Sequence, residues 1–189
     1  VLQGCRDVGV GHLVFASTSS AFGANGTLPY SVKQGVAHPL NVYSATKIAN
    51  EAMAHAYAYV FGLPCTGLRF FTVYGPWGRP DAALDAPAVR DPAWNAAAPD
   101  PSTSGVAPWR ILNLGAGRRE RLQRYIEVLE DKLGHKALLN VMPAQDGEMI
   151  RTEADITETR AALAYAPVTP IDVGVGRFVD WYSDFYGVP

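Results

Sequence analysis

The chain reads as an α/β protein organised on a parallel sheet, and three observations predict it. Short, continuous apolar runs such as His12-Leu13-Val14-Phe15-Ala16 end abruptly in small polar residues, as buried parallel strands do. Longer stretches with helical spacing lie between such runs and are closed by glycine: one stops at Gly62 and Pro64, another at Gly134. Strand and helix therefore alternate, as βα units require.

Composition sets outer bounds. A hydrophobic fraction of 48% over 189 residues suits one or two packed domains. A net charge of −2 gives no electrostatic case for nucleic acid or an anionic membrane surface. No apolar run approaches the length of a membrane span, and nothing resembles a signal peptide. Two cysteines, Cys5 and Cys65, are too few for a disulfide scaffold and fit a reduced, cytoplasmic protein. The four histidines are scattered without metal-ligand spacing, so no metal site is expected.

In chain order, Val1 to Val8 reads as the end of a helix, and Gly9 and Gly11 turn it into the first strand. Residues 23 to 41, punctuated by Gly23, Asn25, Gly26, Pro29, Gly35 and Pro39, read as a loop. Asn41 can cap a helix that continues to Phe61. Thr66 to Thr72 reads as a second parallel strand. Residues 82 to 108 carry no period and several prolines, which predicts a mobile surface loop. Trp109 to Leu114 reads as a strand, and Gly115-Ala116-Gly117 as the turn leading from it. A helix is expected over Glu120 to Leu133, with Leu122, Tyr125, Ile126, Leu129 and Leu133 facing the core. Ala137 to Val141 looks strand-like, and a short helix is expected from Asp155 to Leu163. Thr169 should cap the last helix with Pro170 at its first position. Ile171, Val175, Phe178, Tyr182 and Phe185 then share a face that reads as core.

The chemistry-bearing residues fall in two groups. The first strand ends in Ser17-Thr18-Ser19-Ser20, and ligands of open α/β sheets sit beyond the carboxyl ends of strands. Tyr43 and Lys47 are four apart at the start of the following helix, so both side chains share one face. A phenol titrates near 10 and is a poor base at neutral pH, but a cation one turn away favours the phenolate. Such a pair can take a proton from a substrate hydroxyl, with Thr18 bridging the two. With nine tyrosines and four lysines, one Tyr-x-x-x-Lys arises by chance about 0.2 times, so spacing alone is weak. The order strand, hydroxyl cluster, helix is what favours catalysis.

Phe15-Ala16-Ser17-Thr18-Ser19-Ser20-Ala21-Phe22-Gly23, then Tyr43-x-x-x-Lys47, then the run Leu68-Arg69-Phe70-Phe71-Thr72-Val73-Tyr74-Gly75-Pro76-Trp77-Gly78-Arg79-Pro80-Asp81 resemble the NAD-dependent epimerase/dehydratase family. These are the extended short-chain dehydrogenase/reductases that act on nucleotide sugars, and the UDP-glucuronate 4-epimerases among them are the best match. The resemblance implies part of a Rossmann-like sheet over residues 1–76 and a small α/β nucleotide-sugar-binding region over 77–189. It implies NAD as cofactor, held by Ala16, Ser17, Tyr43, Lys47, Phe70 and Phe71, and a UDP-sugar as substrate. Tyr43, Lys47 and Thr18 are the implied catalytic group. Thr18, Ser19, Ser20, Thr72, Arg79, Gln145 and Glu148 are the implied substrate contacts, with Thr72 and the cationic fork of Arg79 suited to a sugar carboxylate. Ser19 and Ser20 stand where eliminating relatives carry acids, which favours oxidation and re-reduction at C4 over loss of water or carbon dioxide.

No G-x-x-G-x-x-G occurs in the 189 residues, and Gly115-Ala116-Gly117 lacks the third glycine. We therefore expect a chain that begins within an α/β repeat, an internal omission near Leu84 and Asp85, and no turnover by these residues alone. The family's pairing into homodimers would use the Lys47 helix. The alternatives are an epimerase or reductase of another nucleotide sugar, or a non-catalytic remnant.

Overall fold

A computed structural model describes residues 1–75, 88–149 and 151–187. Its centre is a three-stranded parallel sheet in the order β1-β2-β3, formed by β1 (Leu13–Thr18), β2 (Cys65–Phe70) and β3 (Trp109–Leu114). Leu13 pairs with Cys65 and Thr18 with Phe70; Cys65 pairs with Trp109 and Phe70 with Leu114. The strands are thus in step, and their carboxyl ends lie together. β3, which follows residue 76, is bonded along its length to β2, so one sheet draws on both of the expected regions.

The expected α/β alternation is present. α1 (Leu2–Asp7) precedes β1, and a single 3₁₀ turn (Ser19–Phe22) follows it. α2 (Val42–Phe61) begins where its cap was expected: Asn41 Oδ1 accepts a bond of 2.8 Å from the Ser44 N–H. It ends at Gly62, whose left-handed conformation turns the chain towards β2. Residues at odd positions of the strands face α2: Leu13, Phe15, Cys65, Trp109 and Ile111 cluster with Ala54, Ala58 and Leu63. The opposite face gathers Val14, Leu68, Phe70, Leu112 and Leu114 with Leu163 and Tyr165. Period-two alternation therefore divides the apolar residues between two half-cores.

α3 (Leu122–Leu133) and α5 (Ile171–Tyr186) pack on each other through Val128, Ile171, Val175 and Val179. α4 (Thr157–Leu163) lies against β3, with the Thr159 hydroxyl donating to the Asn113 carbonyl at 2.6 Å. The 23–41 loop is held by a backbone turn that only glycine fits. Gly23 has φ +53, and a Cβ there would stand 2.0 Å from the His38 carbonyl oxygen.

Five expectations differ from the structure. Residues 88–108 contain no helix or strand, but part of the stretch is packed inside rather than lying wholly on the surface. Ala88, Ser102, Ser104 and Ala107 are buried, Asp91 N–H bonds to the Ser104 carbonyl, and the Thr103 hydroxyl donates to Asp91 at 2.8 Å. Residues 82–87 lie outside the described residues. Ala137 to Val141 forms no strand, and its leucines face solvent, with no strand beside them among the described residues. Pro170, not Thr169, occupies the cap of α5, and no side chain bonds there. The aromatic face of α5 is core only in its first half: Ile171 and Val175 are buried, whereas Tyr182 and Phe185 are 42% and 56% exposed. On α3, likewise, Leu122 and Leu133 are exposed and Val128 is the fully packed residue.

Burial and the nearby Cys5 push the Cys65 thiol up to about 11, which makes it an apolar filler rather than a nucleophile. Two histidines give the fold a pH dependence. Burial, with Arg110 adding to it, holds His12 below its usual value; burial does the same for His55. Both rings are harder to protonate when folded than in the unfolded chain, where they titrate near 6.5. As pH falls through 6.5 the unfolded state takes up more protons, so stability falls with it. Thermal unfolding monitored between pH 7.5 and 5.5 should show a declining midpoint, and the His12→Gln/His55→Gln double variant a shallower decline. An equal slope in both would contradict this.

Candidate active site

The carboxyl end of β1 meets the first two turns of α2 through Lys47. Lys47 Nζ donates to the Ala16 carbonyl at 3.3 Å, which fixes the helix start against the strand end. The same ammonium lies 5.7 Å from the centre of the Tyr43 ring, so the pair spaced four apart does share one face. Tyr43 is 55% exposed and Thr18 is buried, with its Oγ1 accepting a 3.2 Å bond from the Ser20 N–H. Ser19 is buried beside it.

Ser17 is directed elsewhere: its hydroxyl donates to Glu51 Oε1 at 2.5 Å. Glu51, two turns beyond Tyr43, also accepts Arg69 Nε at 2.9 Å and Arg69 Nη2 at 2.8 Å. Sequence reasoning missed both members of this buried ion pair. A charge in the middle of the apolar run Leu68-Arg69-Phe70 was the available signal, because a buried guanidinium requires an acceptor.

Phe70 is half-buried at the end of β2. Phe71 is buried, packs 6.2 Å from Phe22, and gives its N–H to the Leu114 carbonyl. Phe71 and the exposed Thr72 line a cavity of about 410 Å³ at the carboxyl edge of the sheet. Tyr74, Arg118, Arg121 and Tyr125 complete much of its wall, and none of them was among the expected ligand contacts; Tyr125 was expected to face the core. Glu120 and Glu153 share this lining with the two arginines, and Arg118 is paired with Glu120 at 3.3 Å. Arg79 lies outside the described residues.

Gln145 and Glu148 are exposed on a turn far along the chain, yet that turn sits at the start of α2. Asn41 Nδ2 donates to the Gly147 carbonyl at 3.1 Å. Gly147 has φ +84, and a Cβ there would stand 2.8 Å from the Leu40 carbonyl, so the approach depends on glycine. The structure thus brings Tyr43, Lys47 and the 145–148 turn to one helix end, with Lys47 reaching the strand at Ala16, two residues before Thr18.

At Ala16 the strand presents an exposed small side chain, with an ammonium that has used one acceptor and a half-open phenol beside it. These residues fit the nicotinamide-ribose end of a dinucleotide. The described residues show no His/Cys/Asp/Glu grouping that could hold a metal ion, and no helix long and apolar enough to cross a membrane.

An in-register parallel sheet, a strand ending in hydroxyls and a Tyr/Lys helix define an α/β protein of the Rossmann-like, short-chain dehydrogenase type. Comparison with known proteins narrows this. The profile of the NAD dependent epimerase/dehydratase family matches residues 1–120, and the chain belongs to that family. Protein CapI of Staphylococcus aureus is 36% identical over 225 residues, covering 98% of this chain and 67% of its own length. A probable UDP-glucuronate 4-epimerase of Rhizobium meliloti is 33% identical, covering 98% and 66%. The crystal structure of UDP-glucuronic acid 4-epimerase from Bacillus cereus, in complex with UDP-glucuronic acid and NAD, superposes with a TM-score of 0.74 at 25% identity. It covers 98% of this chain and 65% of that one. The chain therefore spans about two thirds of the length of these relatives. The match to CapI runs over 225 positions although this chain has 189 residues, so the relative carries at least 36 residues more within the matched span.

Proposed function

We propose that the chain carries the acid/base and sugar-contacting parts of an NAD-dependent enzyme that inverts C4 of a UDP-sugar, taking UDP-glucuronate to UDP-galacturonate. The observation that carries this reading is Lys47 bonded to the strand end at Ala16 with the Tyr43 ring beneath its ammonium. The relative from Rhizobium meliloti, named for that reaction, and the Bacillus cereus structure with UDP-glucuronic acid and NAD supply the sugar.

NAD, when bound, accepts hydride from C4 and returns it, so none is consumed. Tyr43 takes the proton of the 4-hydroxyl, directly or through Thr18, and gives it back at the end. Lys47 would donate to the nicotinamide ribose, with Ala16, the backbone of Ser17, Phe70 and Phe71 bordering the cofactor. The resulting 4-keto sugar turns over before it is reduced on its other face. Ser19, Ser20, Thr72 and Arg79 contact the sugar, Arg79 through its carboxylate, and Gln145 and Glu148 border the nucleotide. In this reading residues 1–76 hold the proton-transfer pair and 77–189 the nucleotide sugar. Homodimers form through the outward stripe of α2, where Val42, Met53 and Val60 are exposed.

The test is the complete open reading frame that encodes these residues, supplied with NAD and UDP-glucuronate. We expect UDP-galacturonate by anion-exchange chromatography, and slower conversion of UDP-glucose. Conversion of neither sugar would reject the reading.

A further inference from the structure

We propose that Glu51 and Arg69 are positioning residues: their buried ion pair fixes the rotation of α2 and so aims Tyr43 and Lys47 at the ends of β1 and β2. The inference rests on the reading of Tyr43 and Lys47 given above. Glu51 is 4% exposed and Arg69 1%. The carboxylate is gripped from three elements at once. It stands on α2, takes the Ser17 hydroxyl from β1 at 2.5 Å, and takes two N–H groups of Arg69 from β2 at 2.9 and 2.8 Å. Ser17 and Arg69 are also paired neighbours in the sheet register.

The face that α2 buries explains why such a grip is needed. Its fully packed residues are Ser44, Glu51, Ala54 and Ala58. Serine and alanine offer a smooth surface that a sheet cannot key by shape, and each residue of slip turns a helix by about 100°. Glu51 is the one long side chain among the four, and a bidentate carboxylate–guanidinium fork tolerates little rotation. Tyr43, Lys47 and Glu51 recur every four residues, so the angle set at Glu51 is the angle at which the other two emerge.

The pair is a poor choice for stability alone. An apolar pair of similar volume holds a fold as well or better, and Arg69 Nη1 is buried without an acceptor among the described residues. What the ion pair adds is direction. The grip extends further: the guanidinium lies 4.8 Å from the Phe22 ring, which stacks on Tyr30 at 4.8 Å. The Tyr30 carbonyl accepts Asn113 Nδ2 at 2.8 Å, which carries the connection to β3.

The experiment compares the wild type with the Glu51→Leu/Arg69→Met double variant, and with Glu51→Gln should the double variant not fold. Hydrogen–deuterium exchange on the 189-residue chain is read first. Amides of Thr46 to Asn50 should exchange at least fivefold faster, with those of α5 unchanged and the unfolding midpoint of the double variant close to wild type. In the complete open reading frame, kcat should fall at least tenfold with KM for the UDP-sugar within threefold. A merely structural pair predicts wild-type exchange and wild-type kcat once stability is restored, and that result would overturn the proposal. If the wild-type frame inverts no UDP-sugar, the functional reading fails, while the exchange measurement still decides the positioning role.

Discussion

Tyr43→Phe, made in the complete open reading frame, is expected to lower kcat for C4 inversion by roughly two to four orders of magnitude, the range that general acid–base catalysis supplies. The variant removes one oxygen and nothing else. Tyr43 is 55% exposed, so the ring keeps its place beside the Lys47 ammonium and no cavity opens. The Asn41 cap and the Lys47 bond to Ala16 involve neither the phenol nor its hydroxyl, so the unfolding midpoint should stay within about 2 °C, the range of a surface substitution. Binding of UDP, measured calorimetrically, should also be unaffected. Initial rates of UDP-galacturonate formation decide the matter: a fall of less than tenfold would mean that another group moves the proton.

The second large effect concerns stability. Glu51→Leu alone leaves the Arg69 guanidinium buried without its carboxylate, and loss of one partner of a buried pair costs about 3–5 kcal/mol. For a domain of this length each kcal/mol shifts the midpoint by about 2–4 °C, so a fall of roughly 6–20 °C is expected by circular dichroism. Stacking over Phe22 retains part of the cation's environment and places the result towards the smaller end. A midpoint within 3 °C of wild type would show that solvent reaches Arg69 and that the pair is not buried in solution. Both variants act on the same stripe of α2, one on chemistry and one on the fold that presents it.

Much of this architecture could be read from residues in a row. β1 announced itself as an apolar run ending in hydroxyls, and α2 by Asn41 at one end and Gly62 at the other, because caps are local chemistry. The Tyr43/Lys47 face followed from spacing alone. Features that depend on a distant partner were not legible. The apolar run 137–141 resembles a strand, but a strand exists only where another lies beside it, and Leu138 and Leu139 have none among the described residues. The irregular stretch 88–108 reads as loose because its ties, Asp91 to Thr103 and Ser104, cross the turn rather than follow the chain. Thr169 looked like a cap from its neighbours, but the extended backbone at Pro170 gives that place to proline. Glu51 in an alanine-rich helix resembles any solvated glutamate; only the charge at Arg69, eighteen residues away, hinted at its use.

The bond from Asn41 to Gly147 joins positions 106 apart in the chain. One end belongs to the residue that starts the Tyr43 helix, the other to the turn bearing Gln145 and Glu148. That bond ties the turn to the helix start. A shift of that turn would reach the helix start two residues before Tyr43.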